Sequence, residues 1–287
     1  MRSRAAASGA ILASMRRHLS LVPALREPPD PSPAPFDLFA GHERLRGAGV
    51  LDLAQVRAIL DEGRFWTEYQ AIVAVRTGRT AAFEALARFA GRSGRPIAPG
   101  IVFPLLHADP ALLLRAELTL KFHQIEHAPR APLFVNLDPD SWWRAGDARR
   151  NPFLGLFASA PGRLVVELTE SMAAADVVRA HDMIASLRGR RVAIALDDVG
   201  AANGLLSFDA IADAEVLKFD RTLLPKLHHP RVRSLVAALV RMARETGAHT
   251  VLEGVETTPD FVLARDLGFE LVQGFLFKDR ARIADRR

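Results

Sequence analysis

Phe65-Trp66-Thr67-Glu68-Tyr69-Gln70-Ala71-Ile72-Val73-Ala74-Val75-Arg76-Thr77-Gly78-Arg79-Thr80-Ala81-Ala82-Phe83-Glu84-Ala85-Leu86 holds two runs, Phe65–Val75 and Thr80–Leu86, rich in apolar, β-branched and aromatic residues. Both have the composition of strands, and only Arg76 and the link Thr77-Gly78-Arg79 stand between them. A glycine-centred link of that length makes a hairpin, whereas a parallel crossover needs a dozen residues or more. The first strand is therefore predicted to run antiparallel to the second.

Beyond this hairpin the pattern changes to short apolar runs separated by longer helical stretches. Strands are expected at Leu133–Val135, Leu164–Val166, Val192–Leu196, Val216–Leu217, Thr250–Leu252 and Leu271–Val272, which makes eight with the first two. Helices are expected at Ala174–Leu187, Val232–Glu245 and Pro259–Asp266, with turns at Gly189, Gly247 and Gly268. Alternation of this kind over about 230 residues is the rhythm of an α/β (β/α)8 TIM-like barrel, here with its first strand antiparallel. An open doubly wound sheet is the alternative, but no glycine-rich phosphate loop follows a first strand.

The chain has 287 residues, 49% of them hydrophobic, enough to bury a barrel core. No apolar run reaches the roughly 18 to 20 residues of a spanning helix, so a soluble globular protein is expected. Ala5–Met15 matches a secretory apolar region only weakly, being rich in Ala and Ser and followed by Arg16 and Arg17. Without cysteine, any metal must be held by oxygen or histidine. The net charge of +5 is accounted for by Arg2, Arg4, Arg16, Arg17 and Arg26, and the rest of the chain balances. A basic stripe on the folded domain is thus missing, which argues against a nucleic-acid polymer as partner. Five prolines between Arg26 and Asp37 read as a linker behind this arginine-rich tail. The expected organisation is a tail and linker over residues 1–35, a connecting segment over 36–53 and the barrel over 54–287. Leu53–Gly63 has helical spacing and ends on a glycine.

A polar group lies within or just after seven of these runs: Glu84, Asn136, Glu167, Asp197 with Asp198, Lys218 with Asp220, Glu253, and Gln273. Strand C-terminal ends share one face of a barrel, so these groups should converge. Five or more clustered carboxylates need a cation or take up protons. An all-oxygen donor set suits Mg²⁺ or Mn²⁺ rather than zinc. Adjacent Asp197 and Asp198 suit two ions and in-line phosphoryl displacement. Lys218 is one of only four lysines in an arginine-rich chain, and a compact ammonium at a strand end suits a water or phosphate oxygen.

Glu84-Ala85-Leu86, set behind Tyr69-Gln70-Ala71-Ile72-Val73 and followed by Ala87-Arg88, resembles the namesake motif of the EAL family of cyclic di-GMP phosphodiesterases. Val135-Asn136-Leu137, Glu167-Leu168-Thr169-Glu170, Leu196-Asp197-Asp198, Leu217-Lys218-Phe219-Asp220, Glu253-Gly254-Val255-Glu256 and Gln273-Gly274-Phe275 are similar to the family's other signatures, in order. The resemblance covers roughly residues 54 to 280.

The resemblance implies a cytoplasmic, two-metal phosphodiesterase that opens cyclic di-GMP to linear 5′-pGpG. Glu84, Asn136, Glu167 and Asp197 would hold one Mg²⁺ or Mn²⁺, and Asp197 with Asp198 the second. Lys218 would orient the attacking water, Glu253 would act as general base or its support, and Gln273 would help position the water. Gln70, Leu86, Arg88 and Asp220 would contact the dinucleotide. Ca²⁺ is expected to permit binding and block turnover. A homodimer through the loop after Asp198, and contact of the arginine-rich tail with anionic membrane, are further expectations.

That loop departs from the family pattern. It reads Val199-Gly200-Ala201-Ala202-Asn203-Gly204-Leu205-Leu206 where Phe-Gly-Thr-Gly-Tyr-Ser-Ser-Leu is usual, and Ala71 and Leu252 replace a usual proline and alanine. A degenerate receptor that binds cyclic di-GMP without cleaving it is therefore the alternative reading, and a barrel used only for protein interaction a third. Each carboxylate taken singly also has a plain structural use as a helix cap or ion-pair partner, Glu170 and Asp220 especially. His123 and His127 have the i, i+4 spacing of a zinc pair but no third ligand nearby, so they are read as a solvated helix face. Trp142 and Trp143 are read as packing over the barrel, with a guanine slot as the alternative.

Overall fold

The computed structural model describes residues 51–146, 150–160, 163–169, 177–201 and 208–284. The first element is helix α1 (Leu53–Asp61), started by a capping box in which Asp52 accepts from Gln55 N at 2.8 Å and Gln55 accepts from Asp52 N at 2.9 Å. Its buried Val56, Ile59 and Leu60 follow the 3–4 spacing of one helix face and pack with Phe89, Val102 and Leu106. Gly63, at φ 64°, turns the chain into the first strand, as the sequence predicts.

Strands β1 (Phe65–Ala74) and β2 (Thr80–Ala90) form the expected antiparallel hairpin, with Gln70 opposite Glu84. They are longer than the parallel strands because the hairpin rises beyond the ring, where β3 (Pro96–Ile97) is added to β2. From β2 the sheet continues in parallel through β4 (Leu133–Asn136), β5 (Leu164–Thr169), β6 (Ala193–Val199), β7 (Val216–Phe219), β8 (His249–Leu252) and β9 (Leu271–Gln273). β9 then pairs antiparallel with β1, Gln273 opposite Ile72, and the ring closes. β10 (Arg282–Ile283) is a short addition to β1. This is the eight-stranded barrel with an antiparallel first strand that was expected, and its closure excludes the open doubly wound sheet.

The strands are buried on both faces and divide their side chains between two cores. Ile72, Ala82, Phe134, Val165, Ala195, Val216, Val251 and Leu271 form the inner one. Alternate residues such as Val73, Val135, Val166, Ile194 and Val272 face outward into the layer beneath the helices.

The first crossover carries α2 (Pro99–His107) and α3 (Pro110–Glu126), and the next carries α4 (Pro139–Arg144) and α5 (Pro152–Phe157). Apart from the helix face read at His123 and His127 on α3, the sequence pattern predicts none of these four, although Asp109, Asp138 and Asn151 cap three of them and all four have proline in the first turn. Helix α6 (Val177–Gly189) lies where one was expected, although the start expected at Ala174 falls outside the described residues. Helices α7 (Phe208–Asp213), α8 (Pro230–Thr246) and α9 (Thr258–Asp266) complete the outer layer. Gly247, at φ 84°, ends α8 as predicted.

One expectation is corrected here. His123 is not on a solvated face: it is buried, within 2.9 Å of Thr67 Oγ1 on β1, and meets the edge of Phe65. A helix laid across a strand hides the residue that its i, i+4 partner leaves half-exposed, which a spacing rule cannot see. Residues 1–50, Glu170 and Ala202–Leu206 lie outside the described residues, and with them the tail, the linker and most of the altered loop.

Candidate active site

One pleat above the inner core, every ring strand offers a polar side chain. The steps are Ala82 to Glu84, Phe134 to Asn136, Val165 to Glu167, Ala195 to Asp197, Val216 to Lys218, Val251 to Glu253 and Leu271 to Gln273. Each is two residues along a parallel strand and so on the same face. Antiparallel β1 supplies Gln70, two residues before Ile72 and level with Glu84. The barrel thus places eight of the expected site residues in one layer at the C-terminal mouth.

Lys218 stands at the centre. Its Nζ lies 2.6 Å from Glu167 Oε1, 2.7 Å from Glu253 Oε1, 3.2 Å from Asp197 Oδ1 and 3.5 Å from Glu84 Oε2. Asn136 Nδ2 donates to Glu84 Oε1 at 3.1 Å, and Gln273 Nε2 lies 2.5 Å from Glu84 Oε2 and 2.9 Å from Gln70 Oε1. Glu84, Glu167, Asp197, Lys218 and Gln273 are all less than a tenth exposed.

The charges do not balance. Four carboxylates and one ammonium leave a surplus of negative charge where water cannot screen it. Burial pushes Glu84 up, but the Lys218 charge and the amides of Gln273 and Asn136 outweigh it and hold Glu84 below the usual glutamate range. Burial and the neighbouring Glu84 charge drive Glu167 well above that range in spite of Lys218. Glu253 is pushed up to about 7, chiefly by burial, with Lys218 opposing. Burial also works against the Lys218 charge, but Asp197, Glu167, Glu253 and Glu84 together keep it protonated.

The donor chemistry fits a hard divalent cation. Glu167 Oε2 and Gln273 Oε1 are buried without a hydrogen-bond partner, Glu167 Oε1 and Asp197 Oδ1 have the Lys218 ammonium beside them, and every candidate ligand is an oxygen. The carboxylates ring the ammonium, and they are not among the His, Cys, Asp and Glu groups that bring three ligand atoms within 4.8 Å of one another. Among the described residues the trio that meets this measure is His107, Asp138 and Asp140, at the end of α2 and the start of α4. There Asp138 caps α4 and pairs with His107 at 2.9 Å.

The remaining expected residues are placed as follows. Asp198 follows Asp197 with φ at 60°, half-buried, and is raised by burial and by the charges of Asp197 and Asp220. Asp220 Oδ1 accepts from Thr222 N at 2.9 Å and caps the turn Arg221–His228, so part of it is committed to structure. Leu86 is half-buried on β2, one pleat above Glu84. Arg88 touches none of the central cluster: its Nε donates to Glu68 Oε2 at 2.9 Å. The sequence reading passed over Glu68, although its i, i+2 relation to Gln70 puts it on the same face. Trp142 is core, stacked on Phe153 at 6.2 Å, and with Trp143 lines an open cleft of about 1110 Å³ between α2, α3, α4 and α6, whose lining includes none of the carboxylates around Lys218.

Two glycines let the strand ends crowd together. A Cβ on Gly254, at φ 70°, would collide with Arg221, and one on Gly274 with the backbone of Val255.

The EAL domain model matches residues 53–279. The Pseudomonas aeruginosa bifunctional diguanylate cyclase/cyclic di-GMP phosphodiesterase MucR is 29% identical over 78% of this chain and 34% of its own length. The solved structure of the PaMucR phosphodiesterase in complex with c-di-GMP superposes with a TM-score of 0.66 at 27% identity, over 78% of this chain and 94% of that one. Klebsiella pneumoniae BlrP1, solved with calcium and c-di-GMP, superposes at 0.63 with 25% identity, over 74% of this chain and 55% of that one. The chain spans about a third of the length of the curated relatives it matches.

Proposed function

The chain belongs to the EAL domain family, and from that premise we propose that it hydrolyses cyclic di-GMP to linear 5′-pGpG. The observation that carries this reading is the single layer of Gln70, Glu84, Asn136, Glu167, Asp197, Lys218, Glu253 and Gln273 at the barrel mouth. Relatives named for cyclic di-GMP phosphodiesterase activity, and neighbours solved with that dinucleotide, support the choice of substrate.

Glu84, Asn136, Glu167 and Asp197 would hold one Mg²⁺ or Mn²⁺, and Asp197 with Asp198 a second. Bound there, the cations supply positive charge to the surplus carboxylates, polarise a phosphoryl oxygen and acidify water. The protein's own groups do the rest. The Lys218 ammonium holds the attacking water by hydrogen bonding. Glu253, with a carboxyl that titrates near neutrality, takes that water's proton. Water oxygen then bonds to phosphorus as the bond to the 3′ oxygen breaks, and that oxygen takes up a proton to become the 3′ hydroxyl of pGpG. Gln273 ties Glu84 to Gln70 and keeps the layer in register. Leu86, Arg88 and the open side of Asp220 meet the dinucleotide above it. Ca²⁺, with its larger and looser shell, would occupy the ligands without supporting turnover.

Chromatography of cyclic di-GMP incubated with the protein and Mg²⁺ or Mn²⁺ tests this, pGpG being the expected product. A second reading, a receptor that binds and does not cleave, is favoured by the central position of Lys218 among the carboxylates. Calorimetric binding without any pGpG would select it. Dimer contact through the loop after Asp198, a cytoplasmic location and attachment of the arginine-rich tail to anionic membrane belong to the same proposal. Cross-linking and salt-dependent vesicle sedimentation test the first and last.

A further inference from the structure

We infer that Glu68 is a positioning residue: it sets the height of the Arg88 guanidinium above the carboxylate layer, and so makes the site selective for a substrate with a second phosphodiester. This rests on the phosphodiesterase reading above. The register places Glu68 opposite Leu86 and Gln70 opposite Glu84, so Glu68, Gln70, Glu84, Leu86 and Arg88 line one face of the hairpin. The Arg88 backbone is four residues beyond Glu84, about 13 Å along the strand. Glu68 draws the side chain back, its Oε2 accepting from Arg88 Nε at 2.9 Å, and Ala87 O accepts from Nη1 at 3.1 Å. Both side chains are only a fifth to a quarter exposed, which makes this a more strongly held pair than an exposed one. The guanidinium is thereby held near the level of Leu86, about one pleat or 7 Å above Glu84.

At that height the fork is too far from the carboxylate layer to meet the phosphorus being cleaved. Two bonds hold it from the strand side, which leaves three of its five N–H groups for a ligand. A ring carrying two phosphodiesters can present one to the metal ligands and the other to this fork. A small diester with a single phosphate can use only the lower layer. Glu68 itself donates nothing to the substrate, and its negative charge close to a dianionic ligand is tolerated because it fixes the guanidinium in place.

The test compares cyclic di-GMP with bis(p-nitrophenyl) phosphate, which has one phosphate, in the full chain and in Glu68→Ala, Arg88→Ala and the double variant. The ratio of kcat/KM for the dinucleotide to that for the small diester is expected to fall about 10-fold in Glu68→Ala, through KM for the dinucleotide. Adding Glu68→Ala to Arg88→Ala is expected to cost nothing more, because the two act as one unit. An unchanged ratio, an equal loss on both substrates, or a further loss in the double variant overturns the inference and leaves the phosphodiesterase reading standing. If the wild-type chain turns over neither substrate, calorimetry with cyclic di-GMP decides. A Kd weakened by Glu68→Ala supports the positioning role in a receptor; an unchanged Kd, or no binding at all, overturns it.

Discussion

Lys218 Nζ lies 2.7 Å from Glu253 Oε1; Lys218 is on β7, level with Val251 on the adjacent β8, and Glu253 follows the last residue of β8. The ammonium is thus held by the carboxyl one pleat above its own cross-strand neighbour. The same ammonium reaches Glu84 on β2 at 3.5 Å, so one cation ties the two sides of the barrel mouth together.

Replacing that cation tests its electrostatic role. Lys218→Met leaves Glu84, Glu167, Asp197 and Glu253 buried without their common partner, and should destabilise the chelator-treated protein by about 3 kcal/mol at pH 8. The loss should shrink at pH 5, where the carboxyls take up protons. Urea unfolding at the two pH values measures both, and equal losses would show that the carboxylates are already neutral.

Glu253 gives a pH dependence of known sign. Its carboxyl is raised to about 7 in the folded chain from an ordinary 4.5, chiefly by burial. A raised carboxyl means that the folded state binds more protons than the unfolded one between those values. The contribution is therefore fully present below about 4.5 and lost as pH rises through about 7. In chelator, the stability difference between wild type and Glu253→Gln should drift against the wild type over that window and be flat above it. A difference that is flat from pH 4 to 8 contradicts the assignment.

The barrel and the polar layer at its mouth were legible in the sequence for one physical reason. A strand buried on both faces reads as an apolar run, and a polar residue two places past an inward-facing one is one pleat higher on the same face. Glu167 after Val165 and Gln273 after Leu271 are cases of it. What was not legible depends on contacts between elements far apart in sequence. His123 lies against Thr67, fifty-six residues away, and no local pattern announces that. Helices α4 and α5, six residues each, are too short to show a period of 3.6. Glu68 was hidden in plain view, because a polar residue alternating along a hairpin strand is ordinarily solvent-facing.

Gly274 is required for the strand ends to close. Gly274→Ala would push a methyl group into the Val255 backbone, which holds Leu276 N through its carbonyl oxygen. A loss of about 2 to 4 kcal/mol is expected, with Gln273 displaced from Glu84. Thermal unfolding with metal-binding calorimetry checks both, and a fully stable variant with wild-type metal affinity would contradict this packing.

Residues 1–35 combine arginines, small residues and six prolines, and have little apolar surface to add to a core. Their removal should leave the unfolding temperature and nucleotide affinity of the barrel within error of the full chain. Loss of soluble protein on truncation would show that this segment packs against the domain.

The most direct measurement of the central claim is the amount of pGpG formed from cyclic di-GMP in a single turnover, with Mg²⁺ or Mn²⁺, by the wild type and by Glu84→Gln. Glu84 accepts from Asn136 and Gln273 and is faced by Lys218, so the amide variant keeps the size of the side chain while it removes one ligand charge and one of the two acceptor oxygens. The account predicts pGpG from the wild type, none when chelator is present, and a rate at least about 100-fold lower in the variant. Equal pGpG from both proteins, or none from the wild type at any concentration of either metal, would contradict it.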